Sequence, residues 1–339
     1  MPPVEFSVFL PVRNGGKYIK QCVDSILTQT YRNLELHVLD NESTDDTVSC
    51  VSRINDSRLR LWKAPRALSM QDSWARIKDV PKKEFMTTLG HDDLFDPHFL
   101  ATIMGLIERY PNASLYQTGA RFINAQGKAI RPFRSVPERE SAAEYLAARL
   151  TYQRDISGTG YVMRSQDYDR VGGIPPFEKL LFADDALWLS LASKSWKAAD
   201  PRVSLAVRIH GASESASSPS NWPSLLLGLD QFTKFLEPFI THNEDSGHVY
   251  RTFGPEFMLR YHRNVYILAL LEACQKRKRI DKEISWRIEE SLAKKAPQVA
   301  SHLLRSFKVK AVEFLNMSCM RSQAILLWKI YYFLRTRAS

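Results

Sequence analysis

The chain has 339 residues and a formal net charge of +10, and its length suffices for one large α/β domain with a smaller appended region. The basic excess lies in the C-terminal quarter, since Arg251 to Ser339 carries 18 Lys and Arg against 7 Asp and Glu, which leaves −1 for the rest. A nucleic-acid partner is not expected, because its footprint should lie on the domain with the specific chemistry, and 4 cysteines without CxxC spacing argue against a zinc knuckle or a disulfide framework.

The first predicted element is a β-strand over residues 6–12, which stops at the turn signal Arg13-Asn14-Gly15-Gly16. Apolar residues at helical spacing follow and predict a helix. A second strand over residues 34–39 ends in the polar run 40–47, and the next helix is predicted to begin with Ser43 or Thr44 as its N-cap.

A third strand is predicted over 59–62, a helix over 69–80 and a fourth strand over 84–89, which runs into Gly90-His91-Asp92-Asp93. Alternating strands and helices predict an α/β fold with a Rossmann-like, mainly parallel central sheet flanked by helices. In such sheets the ligand site lies outside the carboxyl ends of the strands. The polar clusters at 13–16, 40–46 and 90–93 should therefore converge on one edge.

Later patterns predict a helix from Pro97 to Tyr110, a strand over 113–123 with a turn at 124–127, and a helix over 142–150. Long helical patterns begin near residue 221, after a Ser/Pro-rich connection at 213–223. We therefore expect a domain over 1–220 and a basic helical C-terminal region over 221–339.

Two adjacent carboxylates after a buried strand, Asp92 and Asp93, repel each other unless a cation lies beside them. Mg²⁺ or Mn²⁺ meets this need with one or two protein carboxylates, phosphate oxygens and water. The alternative is that one of the pair caps the following helix, although Asp96 before Pro97 is the better cap candidate. The glycines at 15 and 16 lack the GxGxxG and GxxxxGK[ST] spacings, which argues against NAD binding and phosphoryl transfer from ATP.

Three other clusters have a structural and a functional interpretation. Asp40-Asn41 is either an ordinary loop or a contact for a nucleotide base or ribose. Asp184-Asp185 opens a helix, where acidic residues are favourable, and is also suited to a general base. A lone histidine such as His210 is more often structural than a ligand.

Taken together these pieces resemble family 2 glycosyltransferases, which have the GT-A fold. The resemblance rests on the order and spacing of Val8 to Asn14, Val23 to Tyr31, Leu34 to Asp45 and Leu89 to Asp93. It continues to about residue 215 through Gly172-Gly-Ile-Pro, Phe182 to Leu189 and Arg208-Ile-His210. It implies a nucleotide-sugar half at about 1–110 and an acceptor half at about 111–220.

The resemblance also implies roles for individual residues. Asp185 would be the catalytic base of an inverting transfer, with Asp184 and Trp188 on the acceptor side and Asp93, with His210 as a weaker second ligand, at the metal. The donor would be bound by residues of the first strands and of the loops that follow them: Pro11, Arg13, Asn14, Asp40, Asn41 and Asp92. Three positions depart from the family pattern: Asn41 and Gly90 where many members carry Asp, and Asp184 where Glu is common. UDP-sugars are the favoured donors, and a glycan or lipid-linked oligosaccharide of bacterial surface polysaccharide synthesis is the expected acceptor.

The C-terminal region places apolar and aromatic residues among Lys and Arg at helical spacing over 253–271 and 322–334. These helices either cap the catalytic domain or lie on an anionic membrane surface, which would suit a lipid-linked acceptor. The longest apolar stretch, Ala324 to Leu334, is too short to span a membrane, and the N-terminus lacks the pattern of a secretion signal. We expect a cytoplasmic protein, with peripheral binding to the inner face of the cytoplasmic membrane as the second interpretation.

Two other functions remain open on the sequence. A sugar-phosphate nucleotidyltransferase also uses a nucleotide and a divalent ion, but 13–16 is a poor version of its Gly-rich signature. A non-catalytic glycan- or nucleotide-binding module could retain the fold without the chemistry. A processive synthase is disfavoured, because spanning helices and a Gln-x-x-Arg-Trp motif are missing from the sequence.

Overall fold

The structure, a computed structural model, describes residues 4–210, 219–317, 322, 323, 325 and 326. The chain divides into two compact units, one formed by Met1–Ala148 with Tyr152–His210 and the other by Arg149–Thr151 with Gly211–Ser339. Most of the predicted connection at 213–223 and of the helical pattern at 322–334 lies outside the described residues.

The first unit is a three-layer arrangement of helices and one large sheet. Its strands are β1 (Phe6–Val12), β2 (Leu34–Asp40), β3 (Leu59–Lys63), β4 (Phe85–Thr88), β5 (Leu94–Phe95), β6 (Leu115–Ile123), β7 (Ala129–Pro132), β8 (Arg139–Glu140), β9 (Val162–Arg164) and β10 (Lys197–Arg208). Its helices are α1 (Ile19–Leu27), α2 (Thr47–Ser52), α3 (Met70–Ala75), α4 (Phe99–Arg109), α5 (Ala142–Leu150), α6 (Ser165–Arg170) and α7 (Ala183–Ala192). Short 3₁₀ turns follow α3 and precede α7, at Arg76–Asp79 and Glu178–Leu180.

The sheet has the order β3-β2-β1-β4-β9-β6-β10-β5, with β7 beside β6 and β8 beside β10. Its first four strands are all parallel, as the alternating pattern predicts. The second half is mixed, because β9 runs antiparallel to both β4 and β6, while β6 and β10 are parallel. The predicted α/β class is confirmed, and the antiparallel strands are confined to the half that follows the fourth strand.

The core lies around β1, whose seven residues are all buried. A strand covered on both faces reads as a continuous apolar run rather than an alternating one, which is why Phe-Ser-Val-Phe-Leu-Pro-Val is so apolar. Helix α1 contributes Ile19, Val23 and Ile26 to this core, and α4 contributes Phe99 and Ile103. This packing holds the carboxyl ends of β1, β2 and β4 in register.

Two predicted helix caps are wrong, and in each case a tertiary contact takes the side chain. Helix α2 begins at Thr47 rather than after Ser43 or Thr44; the Ser43 hydroxyl oxygen accepts the Asn14 N–H, and the Thr44 hydroxyl donates to Asn14 Oδ1. Helix α4 begins at Phe99 without a side-chain cap, since both carboxylate oxygens of Asp96 accept hydrogen bonds from Arg121, at 2.6 and 2.7 Å. A bidentate, charge-assisted pair is stronger than a single capping bond.

The second unit is helical where it is described. After a 3₁₀ turn at Pro219–Asn221 come α8 (Trp222–His242), α9 (Glu244–Gln275), α10 (Lys282–Lys295), α11 (Pro297–Ala300) and α12 (Phe307–Met317). The Asn243 side chain caps α9, and Asp281 caps α10. Within the described residues, none of these helices combines the length and apolarity needed to span a bilayer.

Candidate active site

The loops after β1 and β2 are joined by direct hydrogen bonds. The Asn14 side-chain oxygen accepts from the backbone N–H of Thr44 at 2.8 Å, and the Asn14 N–H donates to Ser43 Oγ at 2.9 Å. The Gly16 N–H donates to Asp45 Oδ2 at 2.9 Å. Asn14 has a φ of 54°, a left-handed conformation that Asn tolerates better than most residues. Two of the three predicted clusters therefore meet at one edge of the sheet.

The loop after β4 lies against the loop after β1 and against helix α1. A Cβ atom at Gly15 would approach the His91 ring to 2.8 Å, and the Cys22 thiol donates to the Gly90 carbonyl at 3.4 Å. A Cβ at Gly90 would lie only 2.9 Å from Asp93 Oδ2 and 3.0 Å from Asp92 Oδ1. A larger residue at position 90 would crowd both carboxylates. This crowding is a physical reason for glycine at a position where many family members carry Asp.

Asp93 is a buried carboxylate whose exposed fraction is 6%. Its Oδ1 accepts the backbone N–H of Arg208 at 2.8 Å, and its Oδ2 accepts the Thr159 hydroxyl at 3.1 Å. Burial, reinforced by the neighbouring charge of Asp92, raises the pKa of Asp93 to about 8, against a usual value of 3.8. The protein's own groups therefore stabilise the ionised form of Asp93 too weakly to offset its burial and the charge of Asp92.

Asp92 has a different set of contacts. Its Oδ2 lies 2.9 Å from His210 Nε2, and its backbone carbonyl accepts from Arg208 Nε at 2.7 Å. The Arg208 guanidinium lies over the Tyr18 ring, with its central carbon 4.5 Å from the centroid, and the Tyr18 and His210 rings are 5.1 Å apart. Residues 208–210 thus contact both Asp92 and Asp93.

The donor set at Asp93 fits a divalent cation. A cation beside a buried carboxylate that is otherwise costly to ionise would offset both its burial and the charge of Asp92. Among the described residues no group of three or more His, Cys, Asp or Glu side chains forms a complete metal cage. Mg²⁺ and Mn²⁺ sites on nucleotides need fewer protein ligands than that, because phosphate oxygens and water complete the coordination.

The predicted nucleotide contacts lie at the ends of β1 and β2. Asp40 is 2% exposed, and its carboxylate accepts the Ser43 N–H at 3.3 and 3.4 Å. The Asn41 side chain bonds the backbone of Leu68 twice, donating to the carbonyl at 3.0 Å and accepting from the N–H at 2.8 Å. Asn41 therefore pins the 64–68 loop beside Asp40, which is a supporting role that the sequence pattern does not reveal.

Of the two remaining donor-side residues, Pro11 lies inside the sheet and Arg13 lies outside it. Pro11 is buried in β1, in register with Leu39 of β2. Arg13 is exposed immediately after the strand. Its long cationic side chain is therefore accessible at the edge where the three loops meet.

The acidic pair Asp184-Asp185 lies in the first turn of α7, as predicted. The approach to the helix is strained, since Lys179, Leu180 and Phe182 all have positive φ values, of 49°, 55° and 64°. Asp185 is 1% exposed, and the Tyr145 hydroxyl donates to its Oδ1 at 3.2 Å. Asp184 is only partly buried.

Trp188, predicted to lie on the acceptor side, is a buried residue of α7. It is 1% exposed and stacks on Tyr161 with the ring centroids 4.4 Å apart. Among the described residues its indole Nε1–H has no hydrogen-bond partner. In this structure the ring supports α7 from the core side.

The segment 157–160 contacts Asp93 and Asp184, which are predicted to lie on the donor side and the acceptor side respectively. Thr159 bonds Asp93, and a Cβ at Gly158 would meet Asp184 Oδ2 at 3.6 Å. The sequence showed this segment as rich in Gly and Ser but did not indicate which side chains it serves. Thr159 and Tyr145 were not predicted as site residues, because each lies far along the chain from its partner.

Residues 7–168 match the family model described as Glycosyl transferase family 2. An uncharacterised glycosyltransferase of Rickettsia typhi is 25% identical over 210 residues, which cover 61% of this chain and 64% of that protein. The chain thus spans a little less than two thirds of that relative's length.

Two solved structures share the fold of the chain. S. aureus TarS 1–349 in complex with UDP-GlcNAc superimposes with a TM-score of 0.59 at 16% identity, covering 96% of this chain and 92% of TarS 1–349. The mannosyltransferase PcManGT from Pyrobaculum calidifontis, in complex with GDP-Man and Mn²⁺, gives a TM-score of 0.53 at 14% identity, with 96% and 87% covered. At such identities the likeness shows the GT-A fold and leaves the substrates open.

Proposed function

We propose, on the premise that residues 7–168 belong to glycosyl transferase family 2, that this chain transfers a sugar from a nucleotide diphosphate to a hydroxyl acceptor. The observation that carries the proposal is the segment 157–160, which bonds Asp93 on one side and lies against Asp184 on the other. One short segment thus contacts a carboxylate of each predicted acidic pair. A nucleotidyltransferase or a non-catalytic module is not favoured, because neither function requires the second acidic pair, Asp184-Asp185.

The proposed reaction is a single displacement with inversion at the anomeric carbon. Asp185 accepts the proton of the acceptor hydroxyl as its oxygen forms a bond to the anomeric carbon, and the bond from that carbon to the diphosphate oxygen breaks. Asp40 and the loop pinned by Asn41 hold the nucleoside, and Asp92, oriented by His210, holds the donor sugar or ribose. The inversion itself follows from the family.

Asp93 is the residue proposed to hold Mg²⁺ or Mn²⁺, with His210 as a second candidate ligand. When bound, such an ion supplies Lewis-acid stabilisation of the departing diphosphate. The raised pKa of Asp93 supports this assignment, because its charge lacks sufficient compensation from the protein. In this structure His210 contacts Asp92 rather than Asp93, so Asp93 is the primary ligand in the proposal.

UDP-sugars are the proposed donors, since TarS was solved with UDP-GlcNAc and the Asp40 carboxylate can accept hydrogen bonds from a pyrimidine N–H or from ribose hydroxyls. PcManGT was solved with GDP-Man, so the base is the first property to test. Incubation with UDP-, GDP-, dTDP- and CMP-sugars and Mn²⁺ should release free nucleotide from the UDP-sugars most rapidly. If titration calorimetry detects no binding of any nucleotide, the enzyme proposal fails and a scaffold remains.

The proposed acceptor is a glycan or a lipid-linked oligosaccharide at the inner face of the cytoplasmic membrane. The second unit supports this proposal, because its described helices expose large apolar side chains among lysines. Trp286 is 59% exposed, Phe307 83% and Phe314 63%, and Lys308 and Lys310 are exposed on α12. Basic helices with exposed aromatic residues bind anionic lipid surfaces.

A further inference from the structure

A buried polar network lies behind Asp185, and the proposed reaction does not yet use it. The Tyr145 side chain is fully buried on α5, and its hydroxyl donates to Asp185 Oδ1 at 3.2 Å. Burial and the charge of Asp185 raise the pKa of Tyr145 well above its usual value. The phenol therefore keeps its proton and acts as a hydrogen-bond donor to the carboxylate.

Charged side chains hold Tyr145 from both ends of its helix. Arg154, which follows α5, lies over the Tyr145 ring at 4.3 Å and pairs with Glu140, which precedes α5 in β8. Lys197 Nζ lies 2.8 Å from Glu140 Oε2 and 2.8 Å from Gln117 Oε1. Lys197 is 0% exposed and Glu140 is 2% exposed.

Burial of the charges of Glu140, Arg154 and Lys197 carries a desolvation cost. A role in stability alone would not require that cost. Breaking such a buried pair destabilises strongly, whereas well-packed apolar residues often serve stability equally well. Two members of the network contact one aromatic ring, since Arg154 covers the face of Tyr145 and Lys197 Nζ lies 5.9 Å from its centroid. The hydroxyl of that ring reaches the proposed base.

We propose that Tyr145, held by Glu140, Arg154 and Lys197, is a positioning residue that orients the Asp185 carboxylate for proton transfer. This inference rests on the proposed function of Asp185 as the base. A hydrogen bond to Oδ1 restricts rotation of the carboxylate, so the group is aligned before the acceptor hydroxyl arrives. The transferred proton goes to Asp185, and Tyr145 retains its own proton throughout.

The test is Tyr145→Phe, which removes the hydroxyl and keeps the ring under Arg154. A hydrogen bond to a charged group is worth about a tenfold to hundredfold change in rate, so kcat for transfer should fall by about that factor. The donor Kd and both KM values should remain within about twofold of wild type, because Tyr145 contacts neither substrate in the proposal. A purely structural role would lower the folded fraction without separating kcat from KM.

Tyr116→Phe is the matched control. Tyr116 is equally buried, and its hydroxyl donates to the Tyr110 backbone carbonyl at 2.9 Å, away from the acidic pair. It should show a comparable drop in melting temperature and an unchanged kcat per folded molecule. If Tyr145→Phe behaves in the same way as this control, the positioning role is overturned.

A double variant distinguishes the positioning role of Tyr145 from the role of Asp185 as the base. Tyr145→Phe added to Asp185→Asn should produce no further loss in the residual transfer rate, because Tyr145 acts through the carboxylate. Independent, multiplied losses would overturn the positioning role while leaving Asp185 as the base. Near-wild-type turnover of Asp185→Asn alone would overturn the base assignment and, with it, the role of Tyr145.

Discussion

At the residue scale, two adjacent carboxylates have very different surroundings. Asp92 Oδ2 lies 2.9 Å from His210 Nε2. Asp93 is held by one backbone N–H and one hydroxyl in a buried position. Because neutral donors compensate a charge less than a cation does, Asp93 is the member of the pair that gains more from a bound metal ion.

Asp93 should make the stability of the metal-free protein fall as the pH rises. Its folded pKa is raised from 3.8 to about 8, so the folded state keeps a proton that the unfolded state has lost. Stability is therefore highest below about pH 4 as far as this group is concerned, decreases through the interval up to about pH 8 and then levels off. Asp93→Asn should remove this contribution while keeping the acceptor for the Arg208 N–H.

The measurement is thermal unfolding of both proteins in EDTA between pH 6 and pH 8.5. Other titrating groups are shared, so the difference between the two pH slopes reports Asp93 together with its coupling to Asp92. Added Mn²⁺ should raise the melting temperature of wild type more than that of the variant. Parallel pH slopes would show that Asp93 is ionised without cost in the folded protein.

The acidic pair of α7 allows a comparison of neighbouring residues. Asp185→Asn should lower kcat by about 10²–10⁴-fold, the usual contribution of a general base, and leave the donor Kd nearly unchanged. Asp184→Asn, on the more exposed neighbour, is the matched variant and should lower kcat less. Single-turnover transfer and calorimetric donor binding measure the two effects. A larger kcat loss for Asp184→Asn would exchange the two roles.

At the element scale, the backbone conformation of the segment 157–160 requires a glycine at position 160. Gly160 has a φ of 81°, its N–H donates to the Thr88 carbonyl at 2.9 Å, and a Cβ there would overlap the Leu205 side chain. Positive φ costs an ordinary residue about 1–2 kcal/mol, and crowding in a packed site commonly adds about 1–3 kcal/mol. Thr159 is the adjacent residue, so strain at 160 acts directly on the Asp93 contact.

Gly160→Ala should therefore lower the free energy of unfolding more than Gly172→Ala, its matched control. Gly172 has a φ of 86°, but a Cβ at that position would have no heavy atom within 4 Å. The control carries the backbone strain without the crowding, so denaturant unfolding of the two variants isolates the packing against Leu205. Donor binding should weaken only in Gly160→Ala. Equal destabilisation would mean that Leu205 moves aside freely.

At the scale of the whole molecule, the basic charge and the proposed chemistry belong to different parts of the chain. The residues up to 250 carry a formal balance of −1, and the remainder carries +11. Lys and Arg side chains near an anionic membrane contribute about 1 kcal/mol each to binding. Such a division would allow the proposed membrane contact to change without altering the proposed catalytic residues.

Lys308→Glu/Lys310→Glu should weaken binding to vesicles that contain anionic lipid, by about tenfold or more. Lys194→Glu/Arg170→Glu makes the same charge change at exposed positions of the first unit and should bind as wild type does. Co-sedimentation at low and high salt measures both variants, and neutral vesicles provide the baseline. Binding that is equal for all three proteins would exclude α12 as the lipid contact.

Local patterns in the sequence determined the first four strands, the helices between them and the convergence of the polar clusters at 13–16, 40–46 and 90–93. Each of these depends on the periodicity of neighbouring residues or on the general geometry of parallel sheets. The predicted pair at the start of α7 belongs to the same class, because acidic residues favour a helix N-terminus.

Only the tertiary structure decided which side chains serve the carboxylates. Tyr145 is 40 residues from Asp185, Thr159 is 66 from Asp93, and Arg208 is 115 from Asp93. Contacts of this kind leave no periodic signal, since they depend on how β6, β9 and β10 are ordered in the mixed half of the sheet. The same long-range contacts displaced the predicted caps, because Ser43 bonds Asn14 and Asp96 bonds Arg121 across the fold rather than the starts of their own helices.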